Sequence, residues 1–235
     1  MSTPYGEDLA WVHHNGFGEF AESAAPGLLE ILWRQGVNDG LVVDIGCGSG
    51  IWARALTRAG FRVHGIDPSA AMLALARTTA PDARFELGSF VTCEIPPCDA
   101  ITAVGEVLNY GRRDELPPFF ARAARALRPG GVLVFDVAER ESYPPYDEHR
   151  VDGDDWVVFA RKESDGTHLT RRVTTFRGER RSEEVHRLEL HAREDLVAML
   201  RAAFFRVRIR RSYGSRRLPK KHAVYVTVAN RPDRM

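Results

Sequence analysis

Cysteine is scarce in this chain of 235 residues: Cys47, Cys93 and Cys98 are the only three. Three thiols cannot all pair and none stands in a CxxC, which excludes a disulfide framework and a zinc knuckle; small packed core residues are expected instead. An excess of charge is lacking too. Thirty-three Lys and Arg face 32 Asp and Glu, for a formal charge of +1. Capture of nucleic acid or membrane by bulk charge is therefore disfavoured. No segment approaches the roughly 18 consecutive apolar residues of a membrane span. The opening MSTPYGEDLA has neither the basic nor the apolar region of a secretory signal, so a soluble cytoplasmic protein is expected. The eight histidines are scattered, and the one adjacent pair, His13 and His14, makes a poor chelate, so no metal is expected. Repeats and low-complexity segments are also missing. What is present is 44% hydrophobic residues, enough for a sizeable core.

From Leu41 onward, short aliphatic segments alternate with helical ones, the sequence form of a parallel sheet buried on both faces. The spacing predicts strands at 41–46, 62–67, 83–88, 99–107 and 132–138. Helices are predicted at 51–60, from the Ser69 cap through Arg77, and from Asp114 to the LRPGG turn at 127–131. Residues 16–36 form an amphipathic helical region, so that 1–36 reads as an N-terminal helical cap. After Glu139 the pattern changes. The stretch 141–155 is polar and reads as a loop, and three alternating segments then suggest an antiparallel meander. A helix near 193–203 and two strands close the chain. The whole, 1–235, reads as one α/β domain with an inserted antiparallel flap at 140–191.

The most informative stretch is VVDIGCGSG, residues 42–50. Gly46, Gly48 and Gly50 follow a strand and open a helix, so backbone can approach a ligand unobstructed. The spacing is GxGxG, not the GxGxxG of a dinucleotide site, and no GKS or GKT makes it a P-loop. Asp67 ends the next strand, 21 positions after Gly46. A carboxylate there can accept both hydroxyls of a ribose. The combination points to a nucleoside without requiring phosphate.

With these residues in view, the sequence resembles the class I S-adenosylmethionine-dependent methyltransferases, specifically small bacterial members acting on small molecules. VVDIGCGSG, Asp67 in GIDPSAAML, CDAITAVGEVLNY at 98–110 and the LRPGG turn carry the resemblance, over roughly residues 40–137. It implies a Rossmann-like doubly wound sheet of seven strands, mostly parallel with an antiparallel last strand. It further implies S-adenosylmethionine as cofactor and S-adenosylhomocysteine as product. By the same resemblance Asp44, Gly46, Cys47, Gly48 and Gly50 line the methionine moiety, and Asp67 holds the ribose. Pro68 and Met72 lie against the adenine, while Gly88, Ser89 and Phe90 sit where its edge is read. Ser89 departs from the acidic residue common there, which favours backbone contacts at Phe90. Gly105, Glu106 and Asn109 are placed at the methionine amino group and the start of the acceptor pocket. Bland readings stand beside these: Asp67 as a helix cap, Met72 as core and Cys47 as a packed small residue.

A sulfonium methyl group is already activated, so holding the acceptor in line contributes most, on the order of 7–11 kcal/mol against the roughly 10²–10⁴-fold of a general base. His186 shares a strand face with Leu188 and Leu190, as a base pointing inward would, or as a core histidine would. His13 and His14 are the reserve candidates. Tyr5, Trp11, Tyr110, Arg187 and Arg217 are the expected substrate contacts. The acceptor is expected to be a small-molecule hydroxyl or amine. Between 201 and 221 lie nine Lys or Arg and no acid. That patch keeps RNA or protein methylation open as an alternative, although alternating arginines on a strand more often form a solvated face. A non-catalytic nucleoside-binding regulator is the third reading.

Overall fold

The computed structural model describes residues 4–214 and 222–229. Two helices, α1 (Glu7–Phe17) and α2 (Glu19–Arg34), precede the alternating part. This consists of β1 (Leu41–Ile45), α3 (Ile51–Arg58), β2 (Arg62–Asp67), α4 (Ala70–Thr79), β3 (Arg84–Leu87) and β4 (Cys98–Ala103). Two short 3-10 turns, Val107–Tyr110 and Arg113–Glu115, lead into α5 (Leu116–Ala126) and β5 (Leu127–Ala138). Next come β6 (Tyr146–Asp152), β7 (Trp156–Ser164), β8 (His168–Arg177) and β9 (Arg180–Glu189). The chain closes with α6 (Arg193–Ala202), β10 (Phe205–Arg210) and β11 (His222–Ala229).

The main sheet has seven strands in the order β10-β11-β5-β4-β1-β2-β3. β5, β4, β1, β2 and β3 run parallel, whereas β11 is antiparallel to both of its neighbours. Alternate residues of each strand serve opposite faces. Val43, Ile45, Ile101, Leu133 and Phe135 pack with Phe119 and Phe120 of α5 and Leu196 and Leu200 of α6. Val42, Val63, Val132 and Val134 pack with Leu28 and Ile31 of α2 and with Trp52 and Leu56 of α3. This two-sided burial is why the strands read as continuous aliphatic runs. Among the described residues no helix is long and apolar enough to cross a membrane.

The expected strands and helices of the parallel part fall close to where the spacing puts them, and the Ser69 hydroxyl caps α4 by accepting from Met72 N at 3.1 Å. The strand expected to reach 107 ends at Ala103 and gives way to the 3-10 turn Val107–Tyr110, and 127–131, expected as a turn, opens β5. Two further segments differ from expectation. The stretch read as a loop at 141–155 contains β6, which pairs antiparallel with β7 from Tyr146 to Asp152 at the edge of the second sheet, order β6-β7-β8-β9. Its side chains are mostly exposed, so it is held by backbone pairing and shows no apolar alternation; charged edge strands of this kind also resist pairing with other chains. The helical part of the N-terminus begins ten residues or so before position 16, because α1 buries Leu9 and Val12 against Val158 and Val173 of the second sheet. The second sheet, which links β5 to α6 in the chain, packs on α1 through these residues.

Candidate active site

The chain turns sharply after β1 and doubles back into α3. Gly46 N and Cys47 N both donate to Ile66 O, at 2.7 and 3.2 Å, which pins the turn to the end of β2. Gly50 lacks a side chain for a packing reason: a Cβ there would lie 3.0 Å from Ala76 Cα, so α3 and α4 could not approach. The Asp67 carboxylate is fixed by two backbone donors, Gly48 N at 2.9 Å and Ser69 N at 2.8 Å. It ties the Ser69 cap of α4 to the glycine turn, yet each oxygen keeps a second lone pair for a ligand. Deeper in the sheet, Asp44 accepts from the Thr102 hydroxyl at 2.7 Å, and that oxygen accepts from Trp52 Nε1 at 3.2 Å.

Burial pushes the Asp44 carboxyl up to about 7, with the nearby Asp67 charge adding to the rise and the Thr102 hydrogen bond opposing it. Asp67 is also raised by burial, against the lowering effect of its two backbone donors. A carboxyl whose folded value lies above its unfolded one stabilises the fold at low pH, and that contribution is lost as pH rises through the folded value. The protein without ligand is therefore expected to lose stability between about pH 4 and 7, and Asp44→Asn to flatten that decline. Urea midpoints at acid and neutral pH, taken above the region where Glu106 titrates, provide the check.

A cavity of about 710 Å³ starts at this turn and runs beneath α1 to the second sheet. Its near end is lined by Asp44, Gly46, Cys47, Gly48, Asp67 and Pro68. Met72, Ser89 and Phe90 form one side, and Gly105 lies beyond them. Tyr5, His13, Tyr110, His186 and Arg187 belong to the same lining, and the Tyr5 carbonyl accepts from Ser69 Oγ at 2.6 Å. The sequence candidates at these positions, drawn from distant parts of the chain, share one enclosure.

Other candidates lie elsewhere. Asn109 is fully buried and acts as a staple: its Nδ2 donates to Ala138 O at 2.9 Å and Glu189 O at 2.7 Å, while its Oδ1 accepts from Ala138 N at 2.9 Å. Glu106 has a left-handed backbone (φ 62°) and turns its carboxylate away to His222 Nε2 and the Tyr143 hydroxyl, each at 2.7 Å. Arg171 stands 3.4 Å from it. Although burial works against it, the His222 hydrogen bond with the charge of Arg171 holds the Glu106 carboxyl down to about 2. Gly88 and Gly50 are packing positions behind the lining. His14 is not itself in the lining, but its Nδ1 bonds at 2.9 Å to the Oγ of Ser49, which is. Trp11 lies under the Arg177 guanidinium, 3.9 Å from its ring centre. Arg217, like Arg216, Lys220 and Lys221, lies outside the described residues.

The two remaining histidines are chemically distinct. Burial, with Arg171 nearby, lowers His13 to about 4, so it is neutral at physiological pH. His186 has both ring nitrogens engaged: Nε2 with Glu184 Oε2 at 3.0 Å and Nδ1 with the Tyr110 hydroxyl at 2.8 Å. Glu184 is the site residue that sequence reasoning passed over. Its signal was its place two residues before His186 on the same strand face, but its backbone partners, Tyr5 N at 2.7 Å and Gly6 N at 2.8 Å, lie nearly 180 positions away. Phe17 and Phe20 also line the cavity from α1 and α2, with no local mark to distinguish them from core.

Comparison with known proteins adds to this geometry. Residues 42–131 match the methyltransferase domain family. A ubiquinone biosynthesis O-methyltransferase of Rhodopseudomonas palustris is 31% identical over 101 residues, covering 42% of this chain and 40% of that relative, so the match spans less than half the relative's length. Among solved structures, an S-adenosylmethionine-dependent methyltransferase from Clostridium acetobutylicum superposes with a TM-score of 0.82 at 18% identity, covering 95% of this chain and 98% of the other. A sugar N-methyltransferase from Streptoalloteichus reaches 0.80 at 20% identity, covering 98% of each chain. Residues 42–131 are thus a methyltransferase domain, and the chain carries the class I S-adenosylmethionine-dependent methyltransferase fold.

Proposed function

We propose that this protein transfers a methyl group from S-adenosylmethionine to a hydroxyl or amine of a small-molecule acceptor. The observation that carries the reading is one cavity whose lining includes both the glycine turn with Asp67 and the pair Tyr110 and His186. The lining suits such a cofactor. Gly48 (φ 52°) and Gly105 (φ 96°) both face it, and a Cβ at either would meet no protein atom within 4 Å. Side chains there would fill space that the backbone leaves open.

In this reading Asp67 holds the ribose hydroxyls, Gly46, Cys47, Gly48 and Asp44 surround the amino-acid portion, and Pro68, Met72, Ser89 and Phe90 enclose the adenine. When bound, S-adenosylmethionine supplies a methyl carbon already activated by its sulfonium. The chain's own residues orient the acceptor, exclude water and accept one proton. Tyr5 and His13 from the N-terminal segment close the cavity from above, and His186 is the base on which the acceptor's proton finishes. The relatives named for ubiquinone biosynthesis and for a sugar favour a small acceptor. The rival reading loses support at β10, whose Arg206, Arg208 and Arg210 are exposed while Phe205 is buried. These arginines form a solvated sheet edge, away from the cavity.

Calorimetry with S-adenosylhomocysteine tests cofactor binding, and a metabolite extract supplied with labelled methyl donor tests transfer. Ligand at 100 times its Kd is expected to stabilise the fold by about 2.7 kcal/mol. Absence of any heat or shift in Tm would overturn the proposal. An RNA mobility shift that fell steeply with salt would instead favour the basic segment.

A further inference from the structure

The hydrogen-bond pattern around His186 decides which atom can meet the acceptor. Glu184 accepts from Tyr5 N and Gly6 N while one of its oxygens also faces His186 Nε2 at 3.0 Å. Burial would raise that carboxyl, but the His186 contact and the two backbone donors bring it below the usual carboxylate range, so it is ionised and can only accept. Nε2 must then carry the ring hydrogen. In the neutral imidazole Nδ1 is left as an acceptor, and its partner at 2.8 Å is the Tyr110 hydroxyl. Both ring nitrogens are thus used by the protein. The Tyr5 ring packs edge-on against His186, with centroids 5.1 Å apart, and covers it further. Tyr110 lines the cavity; its hydroxyl also shares a hydrogen bond with that of Tyr5, and of its two acceptor lone pairs one is left for a ligand.

Resting on the methyltransferase reading above, the geometry points to Tyr110 as the catalytic residue that touches the acceptor, and to Glu184 as a positioning residue that makes the relay depend on closure of the N-terminal segment. The acceptor's X–H bond breaks and its proton goes to the Tyr110 oxygen as the phenolic proton passes to His186 Nδ1. S-adenosylmethionine, when bound, would supply the methyl carbon for the electron pair left on the acceptor atom, its sulfur keeping the pair of the carbon–sulfur bond as a neutral thioether. The proton taken up makes His186 an imidazolium beside the Glu184 carboxylate, so the one positive charge is conserved. Solvent removes the proton once the cavity reopens. Because the same carboxylate anchors Tyr5 and Gly6, an open N-terminus leaves Glu184 without its two backbone donors and the histidine without a fixed tautomer. Closure and base assembly are one event.

The relay is read most directly from ¹⁵N resonances of the His186 ring in the ligand-free protein. A hydrogen on Nε2 and a bare Nδ1 are expected. Glu184→Gln removes the charge and one acceptor oxygen, and is expected to free the ring to a tautomer mixture and to speed exchange of the Tyr5 and Gly6 amides about tenfold or more. Tyr110→Phe keeps the ring and loses only the hydroxyl; kcat should fall about 100-fold or more. Acceptor KM and S-adenosylhomocysteine affinity should stay within about twofold, a split that a purely structural role for the hydroxyl would not give. A hydrogen found on Nδ1, or a Tyr110→Phe enzyme with near-native kcat, overturns the relay. The ring measurement needs no ligand, so the two ideas fail separately: no response to S-adenosylhomocysteine with Nε2 protonated overturns the methyltransferase reading alone.

Discussion

Asp67→Ala is expected to weaken binding of S-adenosylhomocysteine at least about 100-fold, because hydrogen bonds to a charged group contribute about 1.5–3 kcal/mol each and the ribose offers two hydroxyls. The loss has a second source. With the carboxylate gone, Gly48 N and Ser69 N lose their acceptor, so the glycine turn and the start of α4 are no longer tied together. Asp67→Asn separates the two effects. One carbonyl oxygen remains to accept from backbone, and about a tenfold loss is expected where only one strong ligand contact is removed. Calorimetry on both variants, with Tm measured alongside, checks the argument. Affinity within threefold of the native protein for Asp67→Ala would remove Asp67 from the cofactor site.

His186→Ala should produce the second large effect, a fall in kcat of about 10²–10⁴-fold with cofactor affinity nearly unchanged. The imidazole lines the same cavity as Asp67 but is held by other residues, packed between Tyr5 and Tyr110 with centroids 5.1 and 5.8 Å from it. Its removal leaves the proton of Tyr110 with no acceptor and the Glu184 carboxylate facing an empty volume. Residual turnover is expected, since positioning supplies more of the acceleration than proton transfer does. Single-turnover kinetics with saturating cofactor would expose the difference, and native rates would shift attention to His13, the neutral histidine beside Tyr5.

Much of this site was legible before the structure because its requirements are local. The glycine turn, Asp67 and the Ser69 cap each follow from short-range backbone geometry, and each lies where its spacing predicts. Burial on β9 alternates as the sequence suggests, with His186 and Leu188 buried and Arg187 exposed. Asn109 shows where such reading stops. It follows β4 among residues expected to face a ligand, yet its amide is consumed by the backbones of Ala138 and Glu189, 29 and 80 positions away. Glu106 was diverted in the same way by His222, 116 positions downstream. The edge strand β6 escaped notice because an exposed strand has no buried face to impose a period on its residues.

The sequence by itself determined the parallel sheet, its crossover helices and the turn that opens α3, since strand burial, helix caps and glycine conformations are written within a few residues. Only the tertiary structure decided which polar groups face the cavity and which are spent on holding the fold. Carboxylates, amides and imidazoles bond equally well to a ligand or to a buried backbone group, and partners such as Glu184 with Tyr5 and Gly6 are chosen by the packing of α1 under the second sheet.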